Sequence, residues 1–303
     1  MPKGWYSNMK TPVFEGVATA IITPMTKDGI DYDAFADLLD WQINEGVDAI
    51  VTVGTTGEGS TLSDEEHRRA IRFTVEQVRG RVPVIAGTGS NDIAYAISLT
   101  EYACEAGADA MLLVTPYYNK ATQGGLEASF RAVADASAKP CILYNVPSRT
   151  GCNLLPSTVA KLADHPKIVG VKEASGNISQ VAELAAKCGD KLSIYSGNDD
   201  QIVPILSLGG KGVISVLSNI LPRETSAICH RFFEGDVRGS AALQLRLLPL
   251  ISALFSEVNP IPVKAALAAM GKCSDVIRLP LTKMEDAHFD VLRREMRAAG
   301  INV

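Results

Sequence analysis

Long apolar runs, paired cysteines, spaced histidines and surplus basic charge are all missing from this chain, and each absence removes a class of function. No stretch approaches the roughly 20 apolar residues that a membrane helix needs, and residues 1–14 lack the apolar core of a secretory signal. The six cysteines, Cys104, Cys141, Cys152, Cys188, Cys229 and Cys273, contain no C-x-x-C pair. They read as reduced thiols, which points to the cytoplasm rather than to a disulfide-framed secreted domain. The four histidines, His67, His165, His230 and His288, show no metal-ligand spacing, so a metal centre is not expected. Net charge is −5, which leaves no electrostatic footprint for nucleic acid or an anionic membrane as partner.

What is present is an alternating pattern. Of 303 residues, 47% are hydrophobic and 21% charged, enough apolar material for the large core of a soluble α/β protein. Short apolar runs recur at residues 16–22, 48–53, 82–86, 109–115, 140–145, 167–172, 191–196 and 211–216. Between them lie stretches of helical period, such as 33–45 with Phe35, Leu38, Leu39, Trp41 and Ile43, 64–79 with Ile71, Val75 and Val78, and 91–106 with Ile93, Ile97, Leu99 and Tyr102. Ser63 with Glu66 three residues later predicts a capping box, and Gly46, Gly107 and Gly189 predict helix ends. The tetrapeptides Gly46-Val47-Asp48-Ala49 and Gly107-Ala108-Asp109-Ala110 mark one helix-to-strand step used twice. Strands apolar on both faces require cover on both faces, as in a parallel sheet. Eight such units predict a (β/α)8 TIM barrel over residues 14–235. Residues 236–303 read as a helical extension, with helices over 237–258, 260–270 and 284–299. Residues 1–13 form an amino-terminal extension without a readable motif. A doubly wound open sheet is the alternative, and the regular eightfold count and the lack of G-x-G-x-x-G after the first run weigh against it.

Lys172 is the residue that needs explaining. The other lysines near apolar runs, Lys139, Lys167, Lys191 and Lys211, precede them, whereas Lys172 ends one, after Ile168-Val169-Gly170-Val171. The carboxyl ends of barrel strands carry the chemistry. Withdrawal from water there favours the neutral amine that attacks a carbonyl. Other strand ends supply company. Gly54-Thr55-Thr56-Gly57-Glu58 can wrap an anion with its amides, although a plain turn explains those five residues as well. Tyr117, Tyr118 and Tyr144 beside a lysine and a threonine suggest proton handling. Arg149 is either a solvated charge or a fork for a substrate carboxylate. Glu58, Glu173, Asp199 and Asp200 lie near strand ends as Mg²⁺ ligands would. Glu173, however, should point away from Lys172, and Asp199 and Asp200 fit helix capping at least as well.

Taken together, Gly54-Thr55-Thr56-Gly57-Glu58, Tyr144-Asn145-Val146-Pro147 and Val171-Lys172-Glu173 make the chain resemble the pyruvate-dependent class I aldolases, the dihydrodipicolinate synthase and N-acetylneuraminate lyase family. The resemblance runs from Phe14 to the carboxyl-terminal helices. The paired threonines, Pro116-Tyr117-Tyr118-Asn119 and Ser148-Arg149-Thr150-Gly151 are similar to the branch that condenses pyruvate with L-aspartate 4-semialdehyde. The resemblance implies that Lys172 forms a Schiff base with pyruvate. It implies a proton relay of Tyr144, Thr55 and Tyr118, the last donated by a neighbouring subunit, and hence a homo-oligomer, commonly a tetramer built as a dimer of dimers. Thr55 and Thr56 would hold the pyruvate carboxylate, Arg149 the aldehyde's carboxylate, and Gly197 and Ile214 would line the pocket. No metal or organic cofactor is implied, because the imine nitrogen is the electron sink. His67, Asn91 and Tyr117 match an allosteric lysine site of the family. Tyr95 stands where an acidic residue is expected and Gly59 replaces a common serine, so inhibition by lysine is expected to be weak or absent. Two other readings remain: a sugar-acid aldolase such as N-acetylneuraminate lyase or a 2-keto-3-deoxygluconate aldolase, and a non-catalytic pyruvate-binding barrel.

Overall fold

The computed structural model describes residues 9–303, so residues 1–8 of the expected amino-terminal extension lie outside the described part. Eight strands form the centre: β1 (Gly16–Ala20), β2 (Ala49–Thr52), β3 (Val84–Gly87), β4 (Ala110–Val114), β5 (Cys141–Asn145), β6 (Ile168–Glu173), β7 (Ser193–Ser196) and β8 (Gly212–Ser215). All pair in parallel with their sequence neighbours, and β1 pairs with both β2 and β8, which closes the barrel. Helices α1 (Tyr32–Asn44), α2 (Asp64–Val78), α3 (Ile93–Glu105), α4 (Gln123–Ala136), α5 (Pro156–Leu162), α6 (Ile178–Cys188), α7 (Ile202–Ser207) and α8 (Pro222–Phe233) follow the strands in turn. Three more, α9 (Val237–Ala253), α10 (Ile261–Ala269) and α11 (Asp286–Ala298), make the carboxyl-terminal extension. The TIM barrel with added helices read from the apolar runs is the architecture found.

The continuous apolar runs divide into two sets with a period of two. Ala18, Val51, Ile85, Leu112 and Ile142 fill the barrel interior, while Val17, Ile50, Met111, Leu113 and Leu143 face the helices. Each strand is buried on both sides, so alternation in polarity is absent. Burial of each valine, leucine, isoleucine or methionine among them contributes about 1.5–3 kcal/mol. The repeated tetrapeptides also acquire a cause. Gly46 and Gly107 both hold φ near +90° after a helix. Two residues on, Asp48 Oδ2 accepts the Val17 N–H at 2.8 Å and Asp109 Oδ2 accepts that of Val84 at 2.9 Å. Each aspartate ties a new strand to its predecessor. The capping box at Ser63 and Glu66 is present in both directions.

One irregularity decides the site. Between β5 and β6 Cys141 pairs with Ile168, but Ile142 pairs with Gly170, so β6 carries an extra residue. Val169 faces the interior, and in a regular strand Lys172, three positions on, would face the helices. The bulge reverses that parity and brings Lys172 inside, opposite Tyr144.

The described end of the amino-terminal segment is a strap. Lys10 Nζ donates to the carbonyls of Ala163, His165 and Ile168 at 2.6–2.7 Å, closing the carboxyl end of α5. Phe14 stacks on Tyr195 with ring centroids 4.3 Å apart, and the Tyr195 hydroxyl donates to the Phe14 carbonyl at 2.9 Å. Burial pushes that phenol up to about 12.

Candidate active site

Lys172 is 6% exposed and Tyr144 7%, so both ends of the proposed chemistry are withdrawn from bulk water. The lysine Nζ sits 4.1 Å from the centroid of the Tyr144 ring, a cation–π distance when the amine is charged. Gly197 explains how the lysine stem fits. A Cβ there would lie 2.6 Å from Ala174 Cβ and 3.2 Å from Lys172 Cε. Its N–H donates to the Glu173 carbonyl at 2.8 Å, which fixes the strand end beside the amine. Ile214 on β8 is fully buried in the interior cluster.

A cavity of about 560 Å³ opens above these strand ends. Thr55, Tyr144, Arg149 and Thr150 line it, together with Leu112 and Val114. Lys172 is not among its lining residues; its amine lies against the ring of Tyr144, which is one of them. The loop after β2 is held in a tight form. Val53 and Glu58 both adopt positive φ, +48° and +55°, a conformation that costs energy for residues with a Cβ. At Gly59 a Cβ would lie 2.3 Å from the Val53 carbonyl oxygen, so the serine expected there does not fit this loop. Thr55 is exposed to the cavity, and Thr56 is 3% exposed.

The loop is anchored from the carboxyl-terminal extension. Glu58 and Lys264 form a buried ion pair, each side chain 2% exposed, and the second Glu58 oxygen accepts the Arg278 N–H at 3.2 Å. Burial lowers the Lys264 ammonium from its ordinary value, against the pull of Glu58. Asn259 Nδ2 donates to Thr56 Oγ1 at 2.9 Å, and the Asn259 carbonyl accepts Arg149 Nη1 at 3.4 Å. Sequence reasoning passed over Asn259, Lys264 and Arg278. The available signal was the charged Lys264 inside the otherwise apolar run Ile261-Pro262-Val263-Lys264-Ala265-Ala266-Leu267.

The four acids weighed as metal ligands do not converge. Glu58 is engaged as above, and Glu173 accepts from Asn145 Nδ2 at 3.1 Å and from the Ser175 N–H at 2.7 Å. Asp199 and Asp200 do not cap the helix that follows them, which corrects the capping expectation. Asp199 Oδ2 instead accepts the N–H groups of Val216 and Leu217 at 3.0 and 2.9 Å, capping the turn after β8. Burial pushes its carboxyl upward, opposed by the Ser215 hydroxyl and those two amides. The fold does gather Glu257, Glu285 and His288 in the extension. There Glu257 already accepts from the Glu285 N–H and lies 2.9 Å from His288 Nδ1.

Tyr118 does not join Tyr144 and Thr55 within this chain. It is 90% exposed, at φ +71°, outside the cavity lining. His67, Tyr95 and Tyr117 line the same cavity, with Ser60 and Asp64, whereas Asn91 offers its carbonyl to Asn119 Nδ2 at 3.0 Å. His67 Nε2 lies 3.0 Å from the Gly87 carbonyl, and burial lowers its ring below the ordinary imidazole value. Asp64 is the one acid among the residues that line this cavity, and Arg68 already holds it at 2.9 Å. The Arg68 guanidinium, aided by the Tyr95 hydroxyl, lowers the Asp64 carboxyl.

Comparisons with known proteins converge on one family. A family model described as the dihydrodipicolinate synthetase family matches residues 13–299. A 4-hydroxy-tetrahydrodipicolinate synthase of Lachnoclostridium phytofermentans is 57% identical over 291 residues, 95% of this chain and 99% of the relative. The crystal structure of the chloride-inhibited dihydrodipicolinate synthase of Acinetobacter baumannii complexed with pyruvate is similar at TM-score 0.93 and 44% identity, covering 95% of this chain and 99% of that one. That of DHDPS from Cyanidioschyzon merolae with lysine bound is similar at TM-score 0.93 and 40% identity, covering 96% and 100%.

Proposed function

The chain belongs to the dihydrodipicolinate synthetase family, and we propose that its barrel mouth condenses pyruvate with L-aspartate 4-semialdehyde through a Schiff base on Lys172. The product is 4-hydroxy-tetrahydrodipicolinate, the first committed intermediate toward diaminopimelate and lysine, and the enzyme is a lyase of the class I aldolase type. Lys172 Nζ adds to the keto carbon of pyruvate and water leaves, giving a protonated imine. The imine draws electrons from the methyl carbon, whose proton is taken by the Tyr144 oxygen as the phenol passes its own hydrogen on to a hydroxyl partner. The resulting enamine carbon attacks the aldehyde, and the substrate amine then closes the ring and displaces Lys172.

The observation that carries this reading is the amine of Lys172, buried inside the barrel 4.1 Å from the centroid of the Tyr144 ring, which lines one cavity with Thr55 and Arg149. Free tyrosine titrates at about 10, so its proton exchange relies on hydroxyl partners. We assign Thr55 as one, and Tyr118 of a second copy as the other. The exposure of Tyr118 supports that donation and with it a homo-oligomer, which we read as a tetramer of two dimers. Thr55 and Thr56 hold the pyruvate carboxylate, Arg149 the aldehyde's carboxylate, and Gly197 and Ile214 shape the wall. Residues 14–235 are the catalytic barrel and 236–303 a supporting extension. No helix among the described residues is long and apolar enough to cross a membrane. We place the enzyme in the cytoplasm.

The test is a comparison of substrates with and without Arg149. The parent should turn over pyruvate with aspartate semialdehyde and leave N-acetylneuraminate untouched. Arg149→Ala should raise the aldehyde KM about tenfold or more, the loss of a charge-assisted bond, while imine formation with pyruvate persists. Equal loss of both steps would contradict the role given to Arg149.

A further inference from the structure

We propose that Asn259 is a positioning residue that aims the Thr56 hydroxyl hydrogen at the bound keto-acid carboxylate. The inference rests on the reading of the loop after β2 as the pyruvate carboxylate site, and it adds to that site a residue from the other end of the chain.

Asn259 is 5% exposed and stands just before α10, 203 positions from Thr56. Its Nδ2 donates to Thr56 Oγ1 at 2.9 Å. A hydroxyl has one hydrogen and two lone pairs. With an amide N–H on a lone pair, the Thr56 hydrogen must look elsewhere, and among the described residues no group accepts it. The opposite amide orientation would let Oδ1 take that hydrogen, but it would turn the donating NH2 away from its acceptor. In the orientation seen, the Asn259 Oδ1 acceptor and the Thr56 hydrogen are both left without a partner among the described residues, so an incoming anion finds a donor already unclaimed. Thr56, 3% exposed, is therefore left as a donor one residue behind Thr55, which lines the cavity.

Two further contacts make this arrangement stiff. Lys264, one turn into α10, pairs with Glu58 of the same loop, and its own N–H donates to the Pro260 carbonyl at 3.0 Å. Arg149 meets Asn259 through the backbone carbonyl, at 3.4 Å. Asn259 thus touches the pyruvate site with its side chain and the aldehyde site with its backbone, so side-chain replacement separates the two.

The experiment is a double-mutant cycle of Asn259→Asp and Thr56→Val, read as KM for each substrate and kcat. A carboxylate at 259 can only accept, so it captures the Thr56 hydrogen. Asn259→Asp is expected to raise the pyruvate KM about tenfold, the loss of one hydrogen bond to a charged group. Its kcat and aldehyde KM should stay within about twofold of the parent on the same reasoning. Thr56→Val should do the same, and the double variant should match Thr56→Val alone. If the two effects multiply, charge repulsion or local distortion is responsible and the proposal is overturned. A parallel rise in both KM values overturns it too. Asn259→Ala, which removes the donor without adding charge, replaces Asn259→Asp in the cycle if the latter does not fold. Absence of any pyruvate imine in the parent would overturn the underlying site reading instead.

Discussion

Replacing Lys264 with methionine tests how firmly the extension holds the catalytic loop. Both side chains of the Lys264–Glu58 pair are 2% exposed, and the remaining Glu58 oxygen has only the Arg278 N–H. Removing the cation leaves a carboxylate buried without its counter-charge, a loss of about 3–5 kcal/mol. With unfolding entropy near ~2.1 cal/mol/K per residue, that lowers the thermal midpoint by about 5–8 °C. Replacing both partners with apolar residues of similar size removes the burden of the lone charge. Glu58→Leu combined with Lys264→Met should therefore recover most of the loss. Positive φ at Glu58 penalises leucine about as much as glutamate, so the comparison is fair. The assay is calorimetry or circular dichroism of parent, both single variants and the double. A Lys264→Met variant that melts with the parent, or a double variant as weak as the single, would refute the reasoning.

Three further outcomes follow from particular contacts. Gly197→Ala places a Cβ 2.6 Å from Ala174 Cβ and 3.2 Å from Lys172 Cε, so kcat should fall about 100-fold through misplacement of the amine, and undiminished turnover would contradict that. The Arg278 guanidinium beside Glu66, helped by the Ser63 N–H, holds the Glu66 carboxyl at about 2, below the ~4.3 of an unfolded chain. Its stabilisation is complete above the unfolded value and vanishes as pH falls through about 2. The melting gap between parent and Glu66→Gln should thus be open at pH 7 and close near pH 2, and a gap independent of pH would be the contrary result. Millimolar lysine should leave turnover largely unchanged, because Arg68 already occupies Asp64 and Tyr95 brings no charge; strong suppression in a steady-state assay would show otherwise.

The barrel was legible because its strands are short apolar runs and its helix exits carry glycines such as Gly46 and Gly107. The facing of side chains was not. A strand buried on both faces shows no polar alternation, so nothing in Ile168-Val169-Gly170-Val171-Lys172 marks Val169 as an extra residue, although that bulge turns Lys172 inward. Lys172 was singled out by its place at a strand end, and Gly197 and Ile214 only by resemblance to relatives. The support from Asn259 and Lys264 was hidden because it bridges more than 200 positions, a separation on which local patterns are silent. Asp199 misled for a similar reason. Its Ser-Gly-Asn-Asp setting looks like a local cap, but its carboxylate reaches the next strand's turn at Val216 and Leu217.

Borohydride reduction in the presence of pyruvate, followed by peptide mapping by mass spectrometry, tests the central claim most directly. The account predicts one pyruvate-derived adduct per chain, on the peptide that carries Lys172, and none after Lys172→Ala. An adduct on any other lysine, or none at all, would contradict it.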